Sequence, residues 1–303
     1  MKRLFDLNPS DIPGIKARDL LNSIKACEGR AFVSEVIAPF PAVLGDISNP
    51  ELAAAFGADI ILLNMFDLEK AFIFGIDAVN PIEAVFNLTG KIVAVNLEPV
   101  DDTAELSVER SLVSPGRTAG IENVRKLKNM GCKMIVLTGN PATGVTTGQI
   151  AKSISQIKEE FGDEIIVISG KMHNSGVATE TGSSLIDIPS IDMLIDAGSD
   201  IVLLPAPGTI PGYSLARVSD LISHVHSRGK LVMTAIGTSQ EGSDLQTIRS
   251  IAINAKMAGA DLHHIGDCGM SPGIASPENI MAYSIAIRGK RHTYRVMSRS
   301  VNR

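Results

Sequence analysis

Eight glycines divide this chain into units. Gly29, Gly57, Gly90, Gly131, Gly162, Gly198, Gly229 and Gly259 each precede a short apolar run, and two kinds of junction alternate. Gly57-Ala58-Asp59, Gly131-Cys132-Lys133, Gly198-Ser199-Asp200 and Gly259-Ala260-Asp261 lead into IILLN, MIVLT, IVLLP and LHHIG. Gly29-Arg30, Gly90-Lys91, Gly162-Asp163-Glu164 and Gly229-Lys230 lead into AFVSE, IVAVN, IIVIS and LVMTA. A helix commonly ends on a residue with positive φ, which glycine adopts without steric cost. Runs of about five apolar residues are too short for helices and fit strands buried on both faces. Successive glycines lie 28 to 41 residues apart, the size of one strand-plus-helix unit of about 30 residues.

Helical periodicity fills the gaps at 50–56, 121–130, 147–161, 188–197, 215–228 and 245–258. Eight such units in series, joined by right-handed crossovers, close most economically into a (β/α)8 barrel; an open doubly wound sheet is the rival. We expect one domain over 1–303. Residues 1–28 form an N-terminal extension, in which 16–27 reads as an extra helix plugging the barrel bottom. Residues 290–303 read as a solvated basic tail, and helix 280–289 as a contact for a homo-oligomer.

Composition narrows the function classes. A hydrophobic share of 45% supports a large core, and 28 Lys+Arg against 33 Asp+Glu leaves a net charge of -5. With no basic block, nucleic acid is not expected as a partner. No run of about 18 apolar residues marks a membrane span, and the N-terminus reaches acidic and Pro residues too soon for a signal peptide. Cys27, Cys132 and Cys268 have neither metal nor disulfide spacing, which fits a reduced, cytoplasmic protein.

In a barrel the functional end is where the strands finish. Counting from each glycine gives a shared register that turns Glu35, Asn64, Asn96, Glu98 and Thr138 inward. With one extra residue allowed at the start of the fifth strand, Ser169, Lys171 and His173 join that ring. His264 matches the parity of Asn64, whereas His263 matches the helix-facing Ile61. Lys171 is the only lysine expected at a strand top; a desolvated lysine can act as a base or form a Schiff base. Glu35, Glu98 and His264 are candidates for acid–base work. Glu35, Glu98 and Asp267 are alternatively ligands for Mg2+ or Mn2+, since hard cations prefer oxygen donors. Asn64, Asn96, Thr138, Asn140, Ser169 and His173 would orient a substrate. A structural alternative is that Glu35 and Glu98 merely pair with Lys171.

The strand-end loops are rich in Gly, Ser and Thr. Gly237, Thr238, Ser239, Gly269 and Ser271 offer backbone and hydroxyl donors to a phosphate or carboxylate, placed where many barrels hold phosphate. Connections 99–117 and 170–187 are long enough to be lids, and Arg110 and Arg117 would carry positive charge to an anionic substrate.

The segments SEVIAPFPAVLGDISNP, GNPATGVT, LPAPGTIPGYS, GTSQEGSD and HHIGDCGMSPGIASPENIMAYSIAIRGKRHTYRVM resemble a bacterial (β/α)8 family of unknown activity. Its members have carried the labels haloacid-dehalogenase-like and phosphonomutase-like. The first label requires DxDx[TV] after an early strand, and the only comparable site here reads Asp67-Leu68-Glu69. The second is an architectural analogy, so the resemblance implies the fold and transfers no catalytic residue. HExxH and P-loop patterns are absent from the sequence. The expected function is lyase- or isomerase-type acid–base chemistry on a small anionic metabolite, phosphorylated or carboxylated. A divalent-metal hydrolase and a non-catalytic metabolite-binding or assembly protein are the alternatives.

Overall fold

A computed structural model of the chain describes residues 1–267 and 273–303. Strands β1 (Ala31–Ile37), β2 (Ile60–Asn64), β3 (Ile92–Leu97), β4 (Met134–Leu137), β5 (Ile166–Gly170), β6 (Ile201–Pro205), β7 (Leu231–Ile236) and β8 (Leu262–Ile265) form a closed parallel barrel in chain order. Helix α1 (Ala17–Lys25) precedes the barrel. Helices α2 (Asn49–Ala55), α3 (Pro81–Thr89), α4 (Ile121–Asn129), α5 (Thr147–Phe161), α6 (Ile188–Asp196), α7 (Leu215–Ser227), α8 (Leu245–Ala258) and α9 (Pro277–Met297) follow successive strands. The barrel is therefore closed, not open. All eight junction glycines have positive φ. At Gly29 a Cβ would also lie 2.7 Å from the Ala260 carbonyl oxygen, so the start of β1 packs directly on the chain entering β8.

Strand alternation separates two apolar cores. Phe32, Ile61, Val95, Ile135, Val167, Val202, Val232 and Ile265 join the layer between barrel and helices. Val33, Leu62, Ala94, Val136, Ile168, Leu203, Met233 and Leu262 fill the barrel interior. That interior core continues downward into the N-terminal extension through Leu4, Phe5, Leu20 and Ile24, so α1 plugs the bottom as expected.

The tail departs from expectation. Residues 290–297 continue α9 past a kink at Gly289, whose φ is 74°. Val296 enters the interior core. The Arg299 guanidinium donates to the carbonyls of Phe5, Asp6 and Leu7, and Arg295 pairs with Asp6 at 2.7 Å. Arg299 is thus anchored by backbone carbonyls of the N-terminal extension, and Arg295 by the Asp6 carboxylate. Helix 280–289 spends its apolar face within the molecule: Ile280, Tyr283 and Ile287 are buried in the outer core, and Tyr283 stacks on Phe32. Deeper still, Asp59 and Arg288 form a buried pair at 2.5 Å that ties α9 to the start of β2. No helix among the described residues is long and apolar enough to cross a membrane.

Candidate active site at the barrel mouth

The register decides which polar side chains meet. Glu35 follows Val33, Asn64 follows Leu62, Asn96 follows Ala94, and Thr138 follows Val136, each two residues on along an interior-facing row. All four are buried. His264 lies beside Val33 and Ala235 in the ladder, one layer deeper than Glu35. Glu35 bridges the two layers: its Oε2 lies 3.2 Å from His264 Nε2, and its Oε1 accepts from Asn64 Nδ2 at 3.3 Å. Asn64 and Asn140 exchange amide hydrogen bonds at 2.8 and 3.1 Å, and Asn96 Nδ2 donates to Asn64 Oδ1 at 3.1 Å. Among the described residues, Asn96 Oδ1 and His264 Nδ1 are buried without a hydrogen-bond partner. Buried polar atoms in native folds are normally paired, so two such orphans in one hydrogen-bonded network with Glu35 mark a place for a ligand or water.

Glu98 belongs to a separate pair. Its Oε1 accepts from the Arg117 guanidinium, and its Oε2 accepts from the Asn140 backbone N–H at 2.9 Å. Backbone bonds from Glu98 N to Arg117 O and from Ala119 N to Glu98 O lay the end of connection 99–117 alongside β3. Arg117 Nε is buried without a partner among the described residues. The expected metal set of Glu35, Glu98 and Asp267 does not assemble, because Glu98 is committed to Arg117 and Asn140 while Glu35 faces His264 and Asn64. Among the described residues no three His, Cys, Asp or Glu side chains converge as a metal site.

The fifth strand corrects the expected ring. Val136 pairs with Ile168 and Leu137 with Ser169, so Ile168 faces inward and Ser169 outward. Ser169 Oγ contacts Ser199 Oγ at 2.8 Å behind the sheet. Lys171 keeps that outward parity. Its ammonium is fully buried, pairs with Glu180 and donates to the Val145 carbonyl at 2.7 Å. Burial pulls its pKa below the ordinary lysine value, and the Glu180 charge opposes that shift. Glu180 also accepts from the Thr147 backbone N–H at 2.9 Å, so Lys171 and Glu180 tie the loop after β5 to the start of α5. Met172 takes the interior place instead. A one-residue slip turns every side chain of a strand to the other face; the residue allowed at the start of this strand was that slip.

Beside this polar cluster the mouth holds a cavity of about 670 Å³, lined in part by Val108, His173, Gly237, Ser239, Glu241 and Asp267. His173 Nδ1 accepts from the Ser175 N–H at 3.1 Å, which leaves the ring proton of the neutral form on Nε2. Burial pushes the His173 pKa down to about 4, Lys171 adds to the drop, and Glu35 opposes it. Glu241 is buried in the turn after β7, and its Oε2 has no partner among the described residues. Burial raises its pKa, with Asp267 and Glu35 adding to the shift. The sequence reading missed this residue, since a glutamate in the segment GTSQEGSD gives no burial signal. Thr238 is occupied elsewhere: its hydroxyl donates to the Thr209 carbonyl at 2.8 Å. Gly269 and Ser271 lie outside the described residues. Over the cavity the two expected lids bond to each other, Ser107 N to Gly176 O at 3.0 Å and Ala178 N to Glu105 O at 3.0 Å. Arg110, within the first of them, is held by the carbonyls of Thr143 and Ala104.

The fold and mouth define a (β/α)8-barrel protein whose polar side chains gather at the strand ends. Within that class, the chain belongs to the family described as "Domain of unknown function (DUF7916)", whose model matches residues 5–303. No curated protein matches the chain in sequence. Solved structures with a similar fold include a 2,3-dimethylmalate lyase, described as a member of the PEP mutase/isocitrate lyase superfamily. It is 14% identical, with a TM-score of 0.50 over 83% of this chain and 80% of that one. An archaeal fructose 1,6-bisphosphate aldolase is 13% identical, with a TM-score of 0.57 over 89% of this chain and 98% of that one. At such identities these likenesses establish the barrel. The haloacid-dehalogenase-like label finds no support in the family match or in these structures.

Proposed function

We propose that this protein is a barrel enzyme of lyase or isomerase type that moves a proton at a carbon next to a carbonyl group of a small anionic metabolite. One observation carries the reading: Glu35 sits at the interior end of β1 between His264 and Asn64, in a network where His264 Nδ1 and Asn96 Oδ1 are buried without a partner among the described residues. Glu35 is the proton acceptor in this reading. His264 holds its carboxylate from below, and the amides of Asn64, Asn96 and Asn140 orient the substrate oxygens. His173, kept neutral by burial, donates from Nε2 to the substrate carbonyl, where charge develops as the proton leaves. Glu241, whose carboxyl is shifted by burial toward the protonated form, returns a proton to the product. The unused Nε–H of Arg117 and the backbone after β7, at Gly237 and Ser239, favour an anionic carboxylate or phosphate group on the substrate. A lyase and an aldolase among the fold neighbours are in keeping with carbon-acid chemistry.

Lys171 takes the structural part of tying two loops together, because its buried ammonium is held by Glu180 and the Val145 carbonyl. A panel of small carbonyl acids, with and without a phosphate group, tests the proposal by proton NMR. Turnover or exchange by the wild type and its loss in Glu35→Gln is the expected result; undiminished activity in that variant refutes the assignment.

A further inference from the structure

The barrel bottom contains a second cavity, far in the chain's architecture from the strand ends described above. It measures about 590 Å³ and opens between α3 and α4. Ile82 and Phe86 of α3, Met130 and Cys132 after α4, and Ile12 of the N-terminal extension give it apolar walls. Volumes of about 300–1,000 Å³ suit small molecules. Burial pushes the Cys132 thiol up to about 12, so that sulfur belongs to the wall as an apolar group and not as a nucleophile.

The wall also carries polar groups, among them Asn80, Glu83, Asn87 and Glu164, and one of them, Lys91, is buried. Yet among the described residues it forms no ion pair. Its ammonium makes a single hydrogen bond, to the Val296 carbonyl at 3.2 Å. An ammonium has three donors, so two lack a partner among the described residues. The other cavity lysines are satisfied: Lys128 pairs with Glu164 at 2.7 Å, and Lys133 donates to the carbonyls of Pro13 and Ile15. The charge around Lys91 is net positive: Asp59 acts on it as a counter-charge but is paired with Arg288, and the Arg288 and Arg299 guanidinium groups both oppose it. A buried cation whose one counter-charge is shared with arginines is costly and favours an anion.

We propose that this bottom cavity binds a small amphiphilic carboxylate, its anionic head on Lys91 and its apolar body between α3 and α4. The site is independent of the mouth and of any reaction there. Octanoate is the probe, titrated calorimetrically into the full chain alongside 1-octanol, which has the same apolar body without the charge. Octanoate is expected to bind saturably, and 1-octanol about ten- to a hundredfold more weakly, the range of a hydrogen bond to a charged group. Lys91→Met should lose the preference and Lys91→Arg should keep it. The sequence has no Trp, so Asn129→Trp at the exposed rim gives a unique fluorophore that should respond to octanoate. Equal binding of the two probes by the wild type overturns the proposal. So does the absence of saturable octanoate binding, which would leave Lys91 only the task of capping the end of α9.

Discussion

Replacing Lys171 by Met separates a structural lysine from a chemical one. The change removes a fully buried ammonium and leaves Glu180, whose side chain is 18% exposed, facing an apolar group. Breaking a fully buried pair costs about 3–5 kcal/mol, because an uncompensated charge remains. Glu180 keeps the Thr147 N–H and some solvent, which reduces that cost; the Val145 carbonyl loses a donor, which adds about 1 kcal/mol. The net expectation is a destabilisation of roughly 2–3 kcal/mol, read as a lower urea midpoint at an unchanged slope. Replacing both partners, Lys171→Met with Glu180→Gln, should cost less than the two single changes summed, since each single change leaves the other group stranded. A Lys171→Met protein that unfolds at the wild-type midpoint refutes the reasoning. If it also loses all activity, the lysine is chemical.

Other consequences can be measured on the same footing. His263 is fully buried, shares hydrogen bonds with the Gly29 carbonyl and the Tyr283 hydroxyl, and has its pKa pushed down to about 4 by burial. A depressed folded pKa means the unfolded chain binds the proton first, so stability is lost as pH falls from about 6.5 to about 4. The loss approaches about 3 kcal/mol for His263, and His263→Gln should show a shallower acid slope in urea titrations; an unchanged slope contradicts the assignment. At Gly237 a Cβ would collide with the Met172 sulfur. Gly237→Ala should therefore cost about 1–3 kcal/mol in thermal or urea unfolding, and Met172→Ala in the same chain should recover part of it. No recovery would place the strain elsewhere.

The architecture was legible because one physical device recurs. Each unit must end a helix and start a buried strand, and glycine at positive φ does so eight times. Patterns at 147–161 and 245–258 coincide with α5 and α8 in full. Glu35, Asn64, Asn96 and His264 were legible for a related reason: one polar residue closing an apolar row has a definite facing once the row is in register. Lys171 was misplaced because its facing depended on a single residue at the strand start, and apolar residues on both sides of a buried strand cannot fix that phase. Glu241, Glu180 and the anchoring of the tail by Arg299 were hidden for another reason. They depend on tertiary placement of loops and termini, where charged residues in sequence read as solvated.

The most direct test concerns Glu35. In D2O, proton NMR of small carbonyl acids mixed with the wild-type protein reports exchange at the carbon beside the carbonyl. The account predicts that the wild type catalyses this exchange on a member of the panel. It also predicts that Glu35→Gln lowers the rate by about 10²-fold or more, the usual scale for a general base, with its urea midpoint near that of the wild type. Exchange that persists in Glu35→Gln while Lys171→Met abolishes it, with the fold intact, would contradict the central claim.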